Sequence, residues 1–352
     1  MEIVLLVQKI LCGLLIIAVI LPFVKNDYWI FRILEYPRNQ KFFIACVILI
    51  SLFFTNTYQG FDIVLMSLIG ACVFYLAYKI WPYTFFAKKE MLSLKTGGEV
   101  SNQVKIFSAN VFQDNKDYQS MLQQVKETDA DLVFLLETNK EWEKHMDALI
   151  PTHPHCLKEP LENTYGLLFY SRFKIAEGSV KYLIEDDIPS IEATVLLPGG
   201  TKVKVWGLHP KPPVPGEDSH STAKDKELMK VALKAKGCKE PVVVMGDLND
   251  VAWSYVTELF RKTSQLLDPR RGRGFYSTFS ANHWYMRFPL DYIFCSSHFG
   301  LIKMKRLQHN GSDHFPMFIH LQYKESLKKI QEKPKADAKE KQEAAEKATE
   351  PV

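Results

Sequence analysis

Three long apolar runs open the chain, and a different periodicity follows them. Residues 3–24, 42–61 and 63–78 are dominated by Ile, Leu, Val and Phe, and the last two contain no Lys, Arg or Glu, with Asp62 alone between them. A hydrocarbon core about 30 Å thick takes roughly 20 apolar residues at helical rise. The first two runs fit as transmembrane helices, and the third fits if Lys79 snorkels toward the interface. Tyr78, Trp81, Tyr83 and Phe85 then form an interfacial aromatic belt. The first run does not read as a cleavable signal peptide, because no basic start precedes it and no small-x-small site follows it.

From about residue 102 to 322, short apolar strands alternate with amphipathic helices and Gly/Pro/Asn-rich loops. Strands are predicted at 104–109, 132–136, 167–170, 191–197, 202–208, 242–245, 290–294 and 315–321. Helices are predicted at 118–128, 141–149, 224–235 and 254–262. Polar residues recur at the strand ends, where a sheet protein places its site: Asn110, Glu137, His209, Asp247, Asp291 and the Asp313-His314 pair.

Composition divides the 352 residues into a membrane domain at 1–86, a linker at 87–101, an α/β domain at 102–322 and a charged tail at 323–352. From Lys324 onward the tail holds eight Lys against seven acidic residues, and reads as a solvated helix or a disordered segment. The net charge of +4 is too small to argue for nucleic acid or anionic lipid by itself. Lys25, Arg32, Arg38 and Lys41 follow the first span, and Lys79, Lys88, Lys89 and Lys95 follow the third. The positive-inside rule then places the α/β domain of this integral multi-pass protein on the cytoplasmic side. Lys9 inside the first span keeps the exported orientation as the alternative. Cys12, Cys46 and Cys72 lie in the spans, and Cys156, Cys238 and Cys295 form an odd, widely spaced set unlike a disulfide framework.

The strongest chemical signal is Pro241-Val-Val-Val-Met-Gly-Asp-Leu-Asn-Asp250, answered by Gly311-Ser-Asp-His-Phe-Pro316. A buried strand ending in Gly-Asp-x-Asn delivers a carboxylate and an amide to the sheet rim, where a phosphate and its attacking water can be held. With Ser108-Ala-Asn-Val111, Leu135-Leu-Glu-Thr138, Gly166-Leu-Leu-Phe-Tyr-Ser-Arg172, Gly207-Leu-His-Pro210 and Leu290-Asp-Tyr-Ile293, the series resembles the endonuclease/exonuclease/phosphatase superfamily in order, spacing and type. That superfamily includes DNase I, AP endonucleases, neutral sphingomyelinases and inositol polyphosphate 5-phosphatases. His209-Pro-Lys-Pro-Pro213 and Trp253-Ser254 are similar to features of its bacterial membrane-bound members.

The resemblance implies a four-layer α/β sandwich of two packed mixed sheets, here preceded by three transmembrane helices. It implies Glu137 and Asp313 as ligands of Mg²⁺, with Mn²⁺ as a substitute. Asp247 orients or deprotonates the attacking water, and Asn249 and Asn110 hold the phosphate or support the metal. Asp291 and His314 form a carboxylate-imidazole pair, and His209 serves as general acid. The structural alternative for His209 is packing against the prolines that follow. A tyrosine motif at that position in AP endonucleases disfavours their activity here, and no carboxylate partner for His209 is visible in the sequence. Asp250 reads as a cap of the next turn. Arg270, Arg271 and Arg273 form a basic loop, either solvated or a phosphate clamp. Tyr165, Trp253 and Trp284 read as core or rim packing, with stacking on a base or contact with a lipid headgroup as the alternative.

The expected activity is that of a membrane-anchored, metal-dependent phosphodiesterase, nuclease-type first. A phospholipase C-like, sphingomyelinase-like or lipid-linked phosphate hydrolase is the alternative, because tethering raises the effective concentration of lipid at the site. The sequence shows neither a Lys/Arg stripe for duplex binding nor an obvious apolar loop for lipid insertion. A non-catalytic scaffold would have lost a catalytic position, and none is lost. No obligate protein partner is expected.

Overall fold

The computed structural model describes residues 2–55, 59–95, 97 and 99–352. Helix α1 (Glu2–Ile20) is followed by the short α2 (Trp29–Ile33), then α3 (Arg38–Thr55) and α4 (Gly60–Ile80). Three helical stretches, Glu2–Phe23, Arg38–Thr55 and Gly60–Tyr83, are long and apolar enough to cross a membrane. They pack on one another through Cys12, Leu15, Ala45, Ile48, Ile69 and Leu76. The second begins four residues earlier than its apolar run, because the polar groups of its first turn are satisfied. Arg38 pairs with Glu35 at 2.6 Å, and the Lys41 ammonium donates to the carbonyls of Ala18 and Leu34.

The sandwich begins with β1 (Gln103–Asn110), α5 (Tyr118–Thr128), β2 (Leu132–Leu136), α6 (Lys140–Met146), β3 (His155–Glu159) and β4 (Leu167–Ser171). It continues through β5 (Ile175–Tyr182), β6 (Pro189–Leu196), β7 (Lys202–Leu208), α7 (Thr222–Gly237), β8 (Val242–Asp247), α8 (Tyr255–Ser264), β9 (Asp291–Cys295), β10 (Phe299–Arg306) and β11 (Met317–Tyr323). One sheet has the order β10-β11-β1-β2-β4-β3 and the other β5-β6-β7-β8-β9, both mixed. Strands buried on both faces read as unbroken apolar runs, and their alternate side chains divide between two cores. Val243 and Met245 point between the sheets with Phe134, Ile191 and Ile319, whereas Val242 and Val244 face Leu228 and Phe260 of α7 and α8. Phe107 and Val133 face α5 and α6 instead. The sheets approach so closely that a Cβ on Gly207 would lie 2.5 Å from the Phe134 ring.

Two segments depart from their sequence reading. The charged tail, read as a solvated helix or a disordered segment, contains α9 (Leu327–Ile330) and a capped helix α10 (Ala338–Thr349) that packs on α7 and α8 through Ala344 and Ala348. Its charges have fixed partners. Glu343 meets Lys25 at 2.9 Å and the Tyr255 hydroxyl at 2.6 Å, and Lys347 meets the buried Asp225 at 3.0 Å. A small-residue stripe with charged flanks buries itself where the receiving surface supplies the counter-charges. The linker is likewise embedded: Glu90 pairs with Arg261 and Arg271, Met91 is buried, and Leu92 and Leu94 exchange backbone hydrogen bonds with Leu301 on the edge of β10.

Glu227 on α7 is buried against the Ser190 hydroxyl, and burial raises its pKa from 4.5 to about 7, with Glu185 adding to the shift. The folded state therefore binds this proton more tightly than the unfolded chain, so stability falls as pH rises from 4.5 through about 7. Glu227→Gln is expected to raise stability at pH 8 by on the order of 2 kcal/mol and to change little at pH 4. Thermal melts at the two pH values check this.

Candidate active site

Three rim loops are shaped by the strand-end side chains themselves. Asn110 Oδ1 accepts from the Phe112 N–H at 3.0 Å, Asp247 Oδ1 from the Asn249 N–H at 2.9 Å, and the Ser312 hydroxyl from the His314 N–H at 3.0 Å. These two-residue turns leave Phe112 and Asn249 in the left-handed region at φ of 57° and 48°. Glu137 lies there as well, at φ 58°, an uncommon conformation for a residue of its type. Gly246 gives Asp247 its approach to the rim: its φ is +135°, and a Cβ there would lie 2.0 Å from the Leu208 carbonyl oxygen.

At the rim His314 lies between two carboxylates, with Nδ1 2.8 Å from Asp291 Oδ2 and Nε2 3.5 Å from Asp247 Oδ2. Burial alone would depress its pKa, but Asp291 and Asp247 outweigh burial and raise it to about 10. The imidazole is a cation at neutral pH. Burial and the charge of Asp291 push the Asp247 carboxyl up, against the opposing pull of His314. The Thr278 hydroxyl accepts from the Asp291 N–H and sets the start of β9. Asn110 Nδ2 donates to Glu137 Oε1 at 2.7 Å and lies 3.4 Å from Asp247 Oδ2, so one amide bridges two acids. Its amide group is thus engaged by carboxylates, one of them the expected metal ligand Glu137. Burial raises Glu137 to about 7, with Asp313 and Asp247 adding to the shift.

A divalent cation fits this donor set. Hard carboxylates are concentrated with little positive charge besides His314, and the buried oxygens Asp291 Oδ1 and Asp313 Oδ1 have no hydrogen-bond partner. Asp247, Asp291 and His314 bring potential ligand atoms within 4.8 Å of one another. A protonated imidazole tied to Asp291 is a poor ligand, so the acids on the Glu137 side are the better donors.

The remaining sequence candidates separate clearly. His209 is buried, its Nδ1 has no partner, and burial together with the His314 charge lowers its pKa to about 3. It is neutral at pH 7, with the Tyr165 ring 5.2 Å away. The Asn249 amide donates to the Pro210 carbonyl at 3.0 Å, tying the His209 loop to the Asp247 loop and leaving one N–H for a ligand. Asp250 caps the Val251 N–H and also accepts from the buried Lys224 at 2.5 Å. Arg270 is buried and donates to the Asp291 carbonyl at 3.2 Å, and Arg271 and Arg273 are half-buried. They pair with Asp268, with Glu90 and Glu258, and with the Met91 carbonyl, and so fasten the linker.

Residues that sequence reasoning missed come from the N-terminal helical segment. The Tyr36 hydroxyl donates to the Asn249 carbonyl at 2.7 Å, Arg38 to the Trp253 carbonyl at 2.6 Å, and the Trp253 indole to the Glu35 carbonyl at 2.9 Å. Tyr83 reaches the Ala252 carbonyl at 2.6 Å. The signal available was a basic residue, Arg38, that the helix buries at its start, but nothing in the sequence names its partner.

A two-sheet sandwich whose rim gathers carboxylates, amides and a charged imidazole is the arrangement of metal-assisted phosphoester hydrolases. The chain belongs to the endonuclease/exonuclease/phosphatase family, whose family model matches residues 107–314. Members of that family hydrolyse phosphoester bonds. Similar solved structures include a family protein of Bacteroides thetaiotaomicron, 18% identical over 64% of this chain and 96% of that one, TM-score 0.51. The human Nocturnin catalytic domain is 16% identical over 67% and 98%, TM-score 0.52. A mannosyl-6-phosphatase of Bacteroides thetaiotaomicron is 19% identical over 62% and 100%, TM-score 0.51. No curated protein matches the chain.

Proposed function

We propose that this chain is a divalent-cation-dependent phosphodiesterase held in a bacterial inner membrane by its three N-terminal helices, with the catalytic domain on the cytoplasmic side. The observation that carries the reading is the His314 cation held between Asp291 and Asp247 on a rim that also presents Glu137. The basic flanks of the first and third spans support the orientation.

Asp291 fixes His314 through Nδ1, and the resulting permanent cation neutralises charge on the phosphoryl oxygens as the fifth bond forms. Asp247 Oδ2 takes the proton of the attacking water, a role that its raised pKa suits. Asn249 offers its remaining amide hydrogen to a phosphoryl oxygen. His209 enters neutral; the charge of a bound phosphate raises its pKa, so that it takes up a proton from water and hands that proton to the leaving oxygen, returning to the neutral form. Glu137, with Asp313, would hold Mg²⁺ or Mn²⁺, which supplies further charge neutralisation and polarises the phosphoryl group. Asn110 keeps the two acids at their stations.

The full-length protein in detergent is expected to hydrolyse bis(p-nitrophenyl) phosphate. Chelation by EDTA should lower the rate by roughly 10²-fold or more, with recovery on adding Mg²⁺ or Mn²⁺. Turnover indifferent to the chelator would sink the metal assignment.

A further inference from the structure

Three rim loops of the site are fastened to the segment that joins the first two spans. Backbone hydrogen bonds link Trp29 N–H to the Ser219 carbonyl and Ser221 N–H to the Asp27 carbonyl, beside the His209 loop. Tyr36, Glu35 and Arg38 hold the loop after Asp247. The Gln40 amide donates to the Tyr285 carbonyl at 2.9 Å in the loop before Asp291. Gln40 is the third residue of α3, about 3 Å along the axis from its start, so this bond ties the Tyr285 backbone to the first turn of that helix.

That third loop is apolar at its tip and unpartnered there. Trp284, Tyr285 and Met286 are 80%, 54% and 49% exposed on consecutive positions. Trp and Tyr favour the membrane-water interface, where the ring is buried and the polar edge stays wet. The loop is closed on itself by Ser280 N–H to the Met286 carbonyl and Met286 N–H to the His283 carbonyl, so the tip is presented on a fixed turn. Its other end reaches the catalytic residues. Ala281 N–H donates to the Asp313 carbonyl at 2.6 Å, and the Phe279 ring lies 5.0 Å from His314. Four residues separate Ala281 from Tyr285, at most about 14 Å of chain, so the site lies within reach of the headgroup layer. Between tip and site stands Arg287, its guanidinium 5.1 Å from the Phe315 ring and its buried Nε without a partner.

We infer that residues 280–287 form an interfacial loop seated in the bilayer that holds the spans, and that the site acts on a phosphodiester carried on a lipid, with Arg287 meeting its anionic headgroup. This rests on the reading of the site as a phosphodiesterase and of the helices as spans. It supplies the apolar loop that the sequence alone did not reveal: the three residues lie in an otherwise polar stretch, and only the Gln40 contact sets their depth.

The test uses the full chain reconstituted in phosphatidylcholine vesicles whose acyl chains are brominated. Trp284→Phe is expected to remove a distinct share of the quenched tryptophan fluorescence, and an unchanged quenched fraction would overturn the interfacial loop. In the same vesicles, phosphatidylglycerol, phosphatidylethanolamine and phosphatidylinositol are compared with their water-soluble deacylated phosphodiesters and with a single-stranded oligonucleotide. At least one lipid form is expected to be cleaved ten times faster or more than its soluble counterpart. Equal or faster cleavage of every soluble form, or of the oligonucleotide, would overturn the substrate class. Quenching intact with no hydrolysis of these or of bis(p-nitrophenyl) phosphate would instead overturn the phosphodiesterase reading, and with it the substrate half of this inference.

Discussion

His314→Gln is expected to lower turnover by about 10³-fold, and Asp247→Asn by a similar factor, while the double variant falls little further. The reason is that the two side chains act as one unit. His314 stays charged because Asp247 and Asp291 hold it so, and Asp247 accepts a proton from water where that cation stabilises the result. A loss of 10³ corresponds to about 4 kcal/mol of barrier, within the range for removing a preorganised charge from a water-poor site. Gln is chosen because it retains polar contact with Asp291, whereas Ala would leave two buried acids uncompensated. Circular dichroism and the melting temperature of each variant separate lost chemistry from lost structure. A double variant slower than the wild type by the product of the single losses would show that the residues act independently, against the arrangement proposed.

The second large effect concerns the N-terminal helical segment. Residues 100–352 expressed alone are expected to be largely unfolded or misassembled, and inactive on soluble substrate even with metal present. Removing residues 1–99 takes Glu90 from the buried Arg261 at 2.5 Å and from Arg271 at 2.8 Å, and strips Tyr36, Arg38 and Tyr83 from the loop after Asp247. Stranding one buried charge costs about 3–5 kcal/mol, against a total domain stability of roughly 5–15 kcal/mol. Ile80 and Tyr83 also leave the apolar layer that covers α7 and α8. Melts of the fragment and of the detergent-solubilised whole protein decide the matter: midpoints within a few degrees would show that the N-terminal helices add nothing to the stability of the sandwich.

The sequence made the two central strands and their chemistry legible for a physical reason. Both are observed as read: Leu132–Leu136 is buried on both faces and leaves an unbroken apolar run, while Lys202–Leu208 opens with a Lys-Val-Lys-Val alternation whose valines are buried. The strand-end residues Asn110, Glu137, Asp247, Asp291 and His314 do converge on one rim. The missed strands, His155–Glu159, Ile175–Tyr182 and Phe299–Arg306, carry polar residues on an exposed face, and all three end a sheet, where little selects for apolar alternation. For Asn110 the sequence left support of the metal and of the phosphate both open, because an amide's choice between a phosphate and two carboxylates depends on distances that spacing along the chain does not give. Arg270, Arg271 and Arg273 resembled a phosphate-binding run, but their partners, Asp268, Glu90 and the Met91 carbonyl, include groups far away in sequence.

The clasp between Lys25 and Glu343 joins groups 318 residues apart. Synthesis proceeds from the N-terminus at about 5–20 residues per second, so Lys25 waits roughly 15 to 60 seconds before its last partner emerges. In the later part of that interval Asp225, once made, still lacks Lys347, and the seat for Ala344 and Ala348 on α7 and α8 lies open to solvent. Closure of the final helix is thus a completion mark on the nascent protein. A chain released before Ala338 carries every catalytic residue yet keeps that seat uncovered, which is the kind of apolar surface that chaperones and membrane proteases recognise.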